Sequence, residues 1–265
     1  MHFDPTFRDD LYSTEQWRQA MIALRLPEPG SYGEVRIVQE KAQLLPLYGQ
    51  QLRFAIPLTW TLAYEGATLW MSDTPQERLM MLQNTIGMAG HVLVAGGGLG
   101  LYVQYLRRYR RAERVTIVES HPDVVALLRT TLAGDRAVEI VHEAFADFIR
   151  HTSQTNGQRF DGCFIDIHPT LDPRWLPHLN GLRDQCRELV AGPLRIWGYQ
   201  WLVRELVDGL MREYVPLLRC QRCFDDDLGR GLAHALPPGW QGWSAARLHE
   251  WLTAYATQVV TERQQ

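Results

Sequence analysis

The 265-residue sequence predicts a doubly wound, mostly parallel α/β sheet, and three observations carry that expectation. A buried apolar run, Val92 to Ala95, leads into the glycine turn Gly96-Gly97-Gly98-Leu99-Gly100 and then into a helix from Leu101 with Tyr102, Tyr105 and Leu106 at helical spacing. About twenty residues after the turn, a second β-branched run, Arg114 to Val118, ends in Glu119. Two further strand-like runs follow, Val138 to Phe145 with an acidic turn at its end and Phe160 to Asp166, with helical patterns over Pro122 to Leu132 and Ala144 to His151. Alternating strand and helix is the pattern of a parallel sheet whose ligand sits at the carboxyl ends of the strands.

In chain order, residues 1–66 read as a small β-rich appendage and residues 67–265 as the sheet domain with a helical C-terminus. Ser13 to Leu24 suits an amphipathic helix capped by Ser13 or Thr14 and ended by Pro27 and Pro29. Val35 to Val38, Leu52 to Ile56 and Thr59 to Tyr64 have strand composition, separated by Pro and Gly, and Glu65 to Met71 suits a hairpin. Ser72 to Arg78 then starts a helix with a possible N-cap at Asp73 or Thr74 and Pro75 in its first turn, and capping accounts for Asp73 and Glu77.

Gly96, Gly98 and Gly100 give the spacing G-x-G-x-G. A dinucleotide fingerprint would need its third glycine at position 101, where the chain has Leu101, so an adenosyl group is favoured over a pyrophosphate cofactor. Glu119, at the tip of the second strand, is suited to accept hydrogen bonds from both ribose hydroxyls. Asp166, at the fourth strand tip, is placed to orient an amine or hydroxyl and take its proton, and His168 has a pKa range suited to the same task. Beyond it come the loop Asp172 to Trp175, a helix over Leu179 to Leu189, a fifth strand within Gly192 to Gly198, and helices over Leu202 to Leu218 and Ser244 to Val260. No closing pair of strands follows the fifth. The acidic run Phe224 to Asp227 reads as solvated or as attractive to a cation, and Trp240 and Trp243 as packing or as an aromatic cage.

A net charge of -3 gives no general pull toward nucleic acid or acidic membranes. No apolar run is long enough to span a bilayer, and Met1 to Asp10 lacks a basic region followed by an apolar one, so a cytoplasmic protein is expected. Lys41 is the only lysine, and no function is drawn from that bias. Four scattered cysteines exclude a disulfide scaffold, and Cys220-Gln221-Arg222-Cys223 is half a metal-type motif without a second half, so no metal is expected.

Taken together, Gly96 to Gly100, Val118-Glu119, Glu143-Ala144-Phe145 and Phe160 to Asp166 resemble the successive motifs of class I S-adenosylmethionine-dependent methyltransferases, above all the spermidine-synthase-like branch. The resemblance covers roughly residues 60 to 200 and implies a Rossmann-like methyltransferase core that binds S-adenosylmethionine. It implies that Gly96, Gly98 and Gly100 lie against the methionine part, Glu119 holds the ribose, and Glu143, Ala144 and Phe145 border the adenine, with Glu143 in place of the usual Asp. It also implies that Asp73 and Glu77 face the substrate, as the acidic pair before the corresponding helix does in that branch. Aminopropyltransferases carry an Asp inside the glycine loop where this chain has Leu99, which favours methyl transfer over polyamine synthesis. Asp166-Ile167-His168-Pro169 differs from the Asp-Pro-Pro-Tyr turn of nucleic-acid amine methyltransferases and counts against a DNA base.

Three functions are compatible with these readings: methyl transfer to an N or O nucleophile of a small molecule or peptide, aminopropyl transfer of the polyamine type, and non-catalytic adenosyl binding. No residue specifies the acceptor. Small β appendages of this kind can mediate pairing, so a homodimer is an open expectation.

Overall fold

In the computed structural model, which describes residues 14–47, 50–109, 111–155, 159–220, 224 and 226–258, a short helix α1 (Thr14–Ala20) precedes a four-stranded antiparallel sheet. The expectations for Met1 to Asp10, the Cys223 end of the cysteine motif and Asp225 lie outside the described residues. The sheet holds β1 (Gly30–Tyr32), β2 (Val35–Leu47), β3 (Gln50–Glu65) and β4 (Thr68–Ser72), each paired with the next. The strands expected on either side of Pro57 form one strand, β3. Between the pairs Ala42 with Leu58 and Leu44 with Arg53 the register shifts, so Phe54 to Pro57 face Gln43 alone. A proline has no N–H for the ladder and is tolerated at such a bulge. The expected hairpin turns at Gly66, whose φ of +58° suits glycine.

Helix α2 (Pro75–Asn84) starts at the junction with Thr74 in the N-cap position. Asp73 is used otherwise: its Oδ1 accepts the Thr61 N–H, and its Oδ2 pairs with Arg78 Nη2 at 2.8 Å. Arg78 also donates through Nη1 to the Ile22 carbonyl at 2.9 Å, tying the N-terminal segment to the junction. Both side chains of the pair are buried, at 9% and 2% exposure for Arg78 and Asp73. Removing one partner of a buried ion pair strands the other charge, so Asp73→Ala is expected to lose about 3–5 kcal/mol of stability in chemical denaturation. An unchanged transition would contradict this reading.

Next come β5 (Ala89–Ala95), α3 (Leu101–Tyr109), β6 (Arg111–Glu119), α4 (Pro122–Thr131), β7 (Val138–His142), α5 (Phe145–Gln154), β8 (Gly162–Ile165), α6 (Leu176–Cys186) and β9 (Leu194–Ile196). The sheet order is β7-β6-β5-β8-β9 and every pairing is parallel. The chain moves outward from β5 to β7, then crosses to β8 on the other side of β5, which makes the gap between β5 and β8 the topological switch point. Val92, Leu93, Val94 and Ala95 are all buried, as expected of a strand covered on both faces.

The core is continuous from Val35, Ile37 and Ala63 of the antiparallel sheet through Leu79 and Leu82 of α2 to Val94, Ile117 and Phe164 of the parallel sheet. Tyr102 of α3 stacks on Phe164, ring centres 3.9 Å apart. The chain forms two compact units, residues 1–169 with 185–197, and residues 170–184 with 198–265; both sheets lie in the first. The boundary expected at residue 66 divides the chain differently, and the antiparallel sheet itself runs on to Ser72.

The second unit is helical among the described residues. The helix expected over Leu202 to Leu218 is α7 (Tyr199–Gly209), a π-helical turn (Leu210–Tyr214) and α8 (Val215–Arg219), with Pro216 in the first turn of α8, where its missing N–H is harmless. Asp226 caps α9 (Asp227–Ala235), accepting the Gly229 N–H at 2.7 Å, so part of the acidic run is capping. Ser244 caps α10 (Ala245–Gln258), accepting the Arg247 N–H at 3.2 Å. Trp243 carries the Arg247 guanidinium 4.4 Å above its ring, and Trp240 is buried, so these tryptophans pack. No described helix is long and apolar enough to cross a membrane.

Candidate active site

Parallel strands bring their carboxyl ends to one edge, and at the switch point the end of β5 must turn away at once. Gly96, Gly98 and Gly100 do so with φ of +80°, +50° and +76°. A Cβ on Gly96 would stand 1.9 Å from the Asp166 carbonyl oxygen, so only glycine lets the loop pass the end of β8. Gly97, which the sequence reading left without a role, is constrained more weakly: a Cβ there would lie 2.1 Å from Leu128 Cδ1, the end of a side chain that can shift. Leu99 is buried in the core, so the loop position that would carry a carboxylate in an aminopropyltransferase is turned inward.

Glu119 closes β6 beside this loop. Its Oε2 accepts the Gly97 N–H at 2.9 Å and its Oε1 accepts the His121 N–H at 2.8 Å. Each carboxylate oxygen has two acceptor positions, so each keeps one for a further donor. Two such positions beside a glycine turn fit the hydroxyls of a ribose. The Glu143 N–H donates to the Glu119 carbonyl at 3.1 Å, which sets the Glu143-Ala144-Phe145 turn next to the same strand end. The Glu143 carboxylate pairs with His151 Nδ1 at 2.8 Å, Ala144 is exposed, and Phe145 is buried.

Asp166 follows β8, and its N–H donates to the Ala95 carbonyl at 2.8 Å. Burial, with Glu77 and Glu119 as neighbouring negative charges, pushes its carboxyl well above the usual carboxylate range. Glu77, in the first turn of α2, accepts the Trp197 indole N–H at 2.9 Å. Burial raises its pKa to about 7, against the lowering effect of that hydrogen bond. Among the described residues no Arg or Lys pairs with Glu77, Glu119 or Asp166. Desolvated carboxylates without a protein counter-charge favour a bound cation.

His168 is buried, and its Nε2 lies 3.0 Å from the Trp197 carbonyl oxygen. A carbonyl only accepts, so this nitrogen donates and carries the ring proton. The Trp197 N–H donates to Ile165 at 2.8 Å. Trp197 is thus held through its backbone on both sides while its indole holds Glu77. The structure therefore brings Asp166, Glu77 and Glu119 together, sets His168 against Trp197, and engages Asp73 with Arg78. Sequence reasoning passed over Trp197; the signal was an aromatic residue directly after the fifth strand, at the edge where strand tips carry sites.

Because folding raises the Glu77 pKa from 4.5 to about 7, the native state holds a proton that the unfolded chain releases. Its contribution to stability is complete below the unfolded pKa and is lost as pH rises through the folded one, amounting to about 3 kcal/mol. Thermal melts are expected to fall with rising pH across this window, less steeply for Glu77→Gln. Equal slopes in both proteins would contradict the assignment.

No family model matches the chain. Polyamine aminopropyltransferases of Shigella flexneri and Escherichia coli are each 31% identical to it over 90 residues, covering 31% of this chain and 31% of theirs. The match thus spans under a third of the length of those curated relatives. Among solved structures, the spermidine synthase of Thermotoga maritima aligns over 68% of this chain and 61% of its own, at 16% identity and a TM-score of 0.40. A Streptococcus mutans protein described as a SAM-dependent methyltransferase aligns over 57% of this chain and 39% of its own, at 13% identity and a TM-score of 0.38. The proteins to which the chain is similar thus include both methyl and aminopropyl transferases.

Proposed function

We propose that the chain is an S-adenosylmethionine-dependent methyltransferase acting on an N or O nucleophile of a small molecule or peptide. The observation that carries this reading is the position of Asp166, at the switch point beside the glycine turn and flanked by Glu77 and Glu119 without a basic partner among the described residues. S-adenosylmethionine, when bound, supplies a methyl group activated by a sulfonium. Gly96, Gly98 and Gly100 give it backbone to lie against, and Glu119 offers its two remaining acceptor positions to the ribose.

The protein's part in the chemistry is then alignment and proton removal. Holding a nucleophile in line supplies most of the acceleration in a displacement of this kind. Asp166 orients the acceptor and accepts its proton; Glu77, fixed by Trp197, supports the positive charge of an amine before that proton leaves. An amine therefore suits the site better than a hydroxyl. His168 acts by positioning Trp197.

Aminopropyl transfer is the second reading, favoured by the similarity to polyamine aminopropyltransferases. Against it, Leu99 is buried and offers no counter-charge to the amine of a decarboxylated cofactor, which lacks the carboxylate that S-adenosylmethionine carries beside it. The test supplies methyl-labelled S-adenosylmethionine with panels of amines and alcohols, and decarboxylated S-adenosylmethionine with the same amines. Label transfer to an amine is expected; product only from the decarboxylated compound would overturn the proposal, and absence of any turnover would leave adenosyl binding without catalysis.

A further inference from the structure

The strand end that carries Glu119 also carries His121, and two side chains of the antiparallel sheet gather on it. His121 Nε2 faces Glu65 Oε1 at 3.7 Å and Glu34 Oε2 at 3.9 Å, and the three atoms lie within 4.8 Å of one another. Three separate elements set these positions. Glu65 ends β3, where it pairs with Thr68, and Glu34 sits in the turn after β1, with its N–H donating to Asp123 Oδ2 at 2.9 Å. The imidazole is 16% exposed, lies edge-on to Trp70 at 5.4 Å, and accepts the Asp123 N–H on Nδ1 at 3.2 Å.

The Nε2 to carboxylate separations exceed a hydrogen bond, yet they suit ligands sharing one ion with bonds of about 2.0–2.2 Å. Neither carboxylate has another partner among the described residues. One imidazole nitrogen with two carboxylate oxygens is a donor set for Zn²⁺ or a similar divalent ion, with the remaining positions left to water.

We propose that Glu34, Glu65 and His121 form a divalent-metal site of the zinc class that clasps the antiparallel sheet to the end of β6. In the present hydrogen bonding the neutral ring carries its proton on Nε2, because Nδ1 accepts an N–H. Coordination through Nε2 moves that proton to Nδ1, which then gives up the Asp123 N–H and faces Asp123 Oδ2 at 4.0 Å. That separation exceeds a hydrogen bond, so the Asp123 side chain has to shift toward the ring to become the outer partner a metal-bound imidazole takes; the tautomer change leaves the ring neutral. The His121 N–H donates to Glu119, so the clasp also steadies the carboxylate assigned to the ribose.

The test is calorimetric titration of the full chain, stripped by a chelator, with ZnCl₂ alone. One-to-one binding is expected, weakened at least tenfold in Glu34→Gln and in Glu65→Gln. The Glu34 side chain is 79% exposed, so its replacement leaves folding undisturbed, and metal-free melts of variant and parent should coincide while zinc raises the midpoint of the parent most. Absence of one-to-one binding would overturn the proposal, as would equal zinc affinity in parent and variants. The assay contains no adenosyl compound, so its outcome stands apart from that of the transferase reading.

Discussion

Asp166→Asn is expected to lower kcat for methyl transfer about 10²–10³-fold, the range for loss of a positioned general base. Asn has nearly the same shape, so the Asp166 N–H bond to Ala95 and the close passage of Gly96 persist and the fold is retained. What is lost is a carboxylate that burial, Glu77 and Glu119 all make more basic than usual. The parent's kcat should therefore rise with pH as that group gives up its proton, and the variant should lack this limb. A variant with full activity and the parent's pH profile would assign proton removal to another group.

Glu119→Ala is expected to weaken adenosyl binding about 30- to 100-fold, or about 2–3 kcal/mol, through loss of charge-assisted hydrogen bonds to the ribose. The same change releases the Gly97 and His121 N–H groups, so the glycine loop also loses an anchor. Calorimetry on folded variant and parent reads the difference directly. Unchanged affinity would remove Glu119 from the site.

The parallel sheet was legible in the sequence because two of its inner strands, β5 and β6, are buried runs rich in β-branched residues and their turns are local: Val92 to Ala95 with Gly96, and Arg114 to Glu119, need no distant partner to be recognised. The long β3 was less so, since Pro57 reads as a break until the register shift opposite Gln43 gives it a place. The candidate site divides in the same way. Gly96, Gly98, Gly100, Glu119 and Asp166 announce themselves at strand tips, whereas the carboxylate cluster depends on α2 bringing Glu77 beside Trp197, 120 residues later. Asp73 and His168 have the right residue types, but their partners, Arg78 and the Trp197 carbonyl, are set by packing. His121, Glu34 and Glu65 meet only in three dimensions, and no spacing rule finds them.

The charge preference of the adenosyl site tests the central claim most directly. Purified protein would be titrated calorimetrically, in parallel, with S-adenosylmethionine, S-adenosylhomocysteine and decarboxylated S-adenosylmethionine. With Leu99 buried and no carboxylate in the glycine loop, tighter binding of the first two is the expected result. Tighter binding of the decarboxylated compound, or binding of none, would contradict methyl transfer at this site.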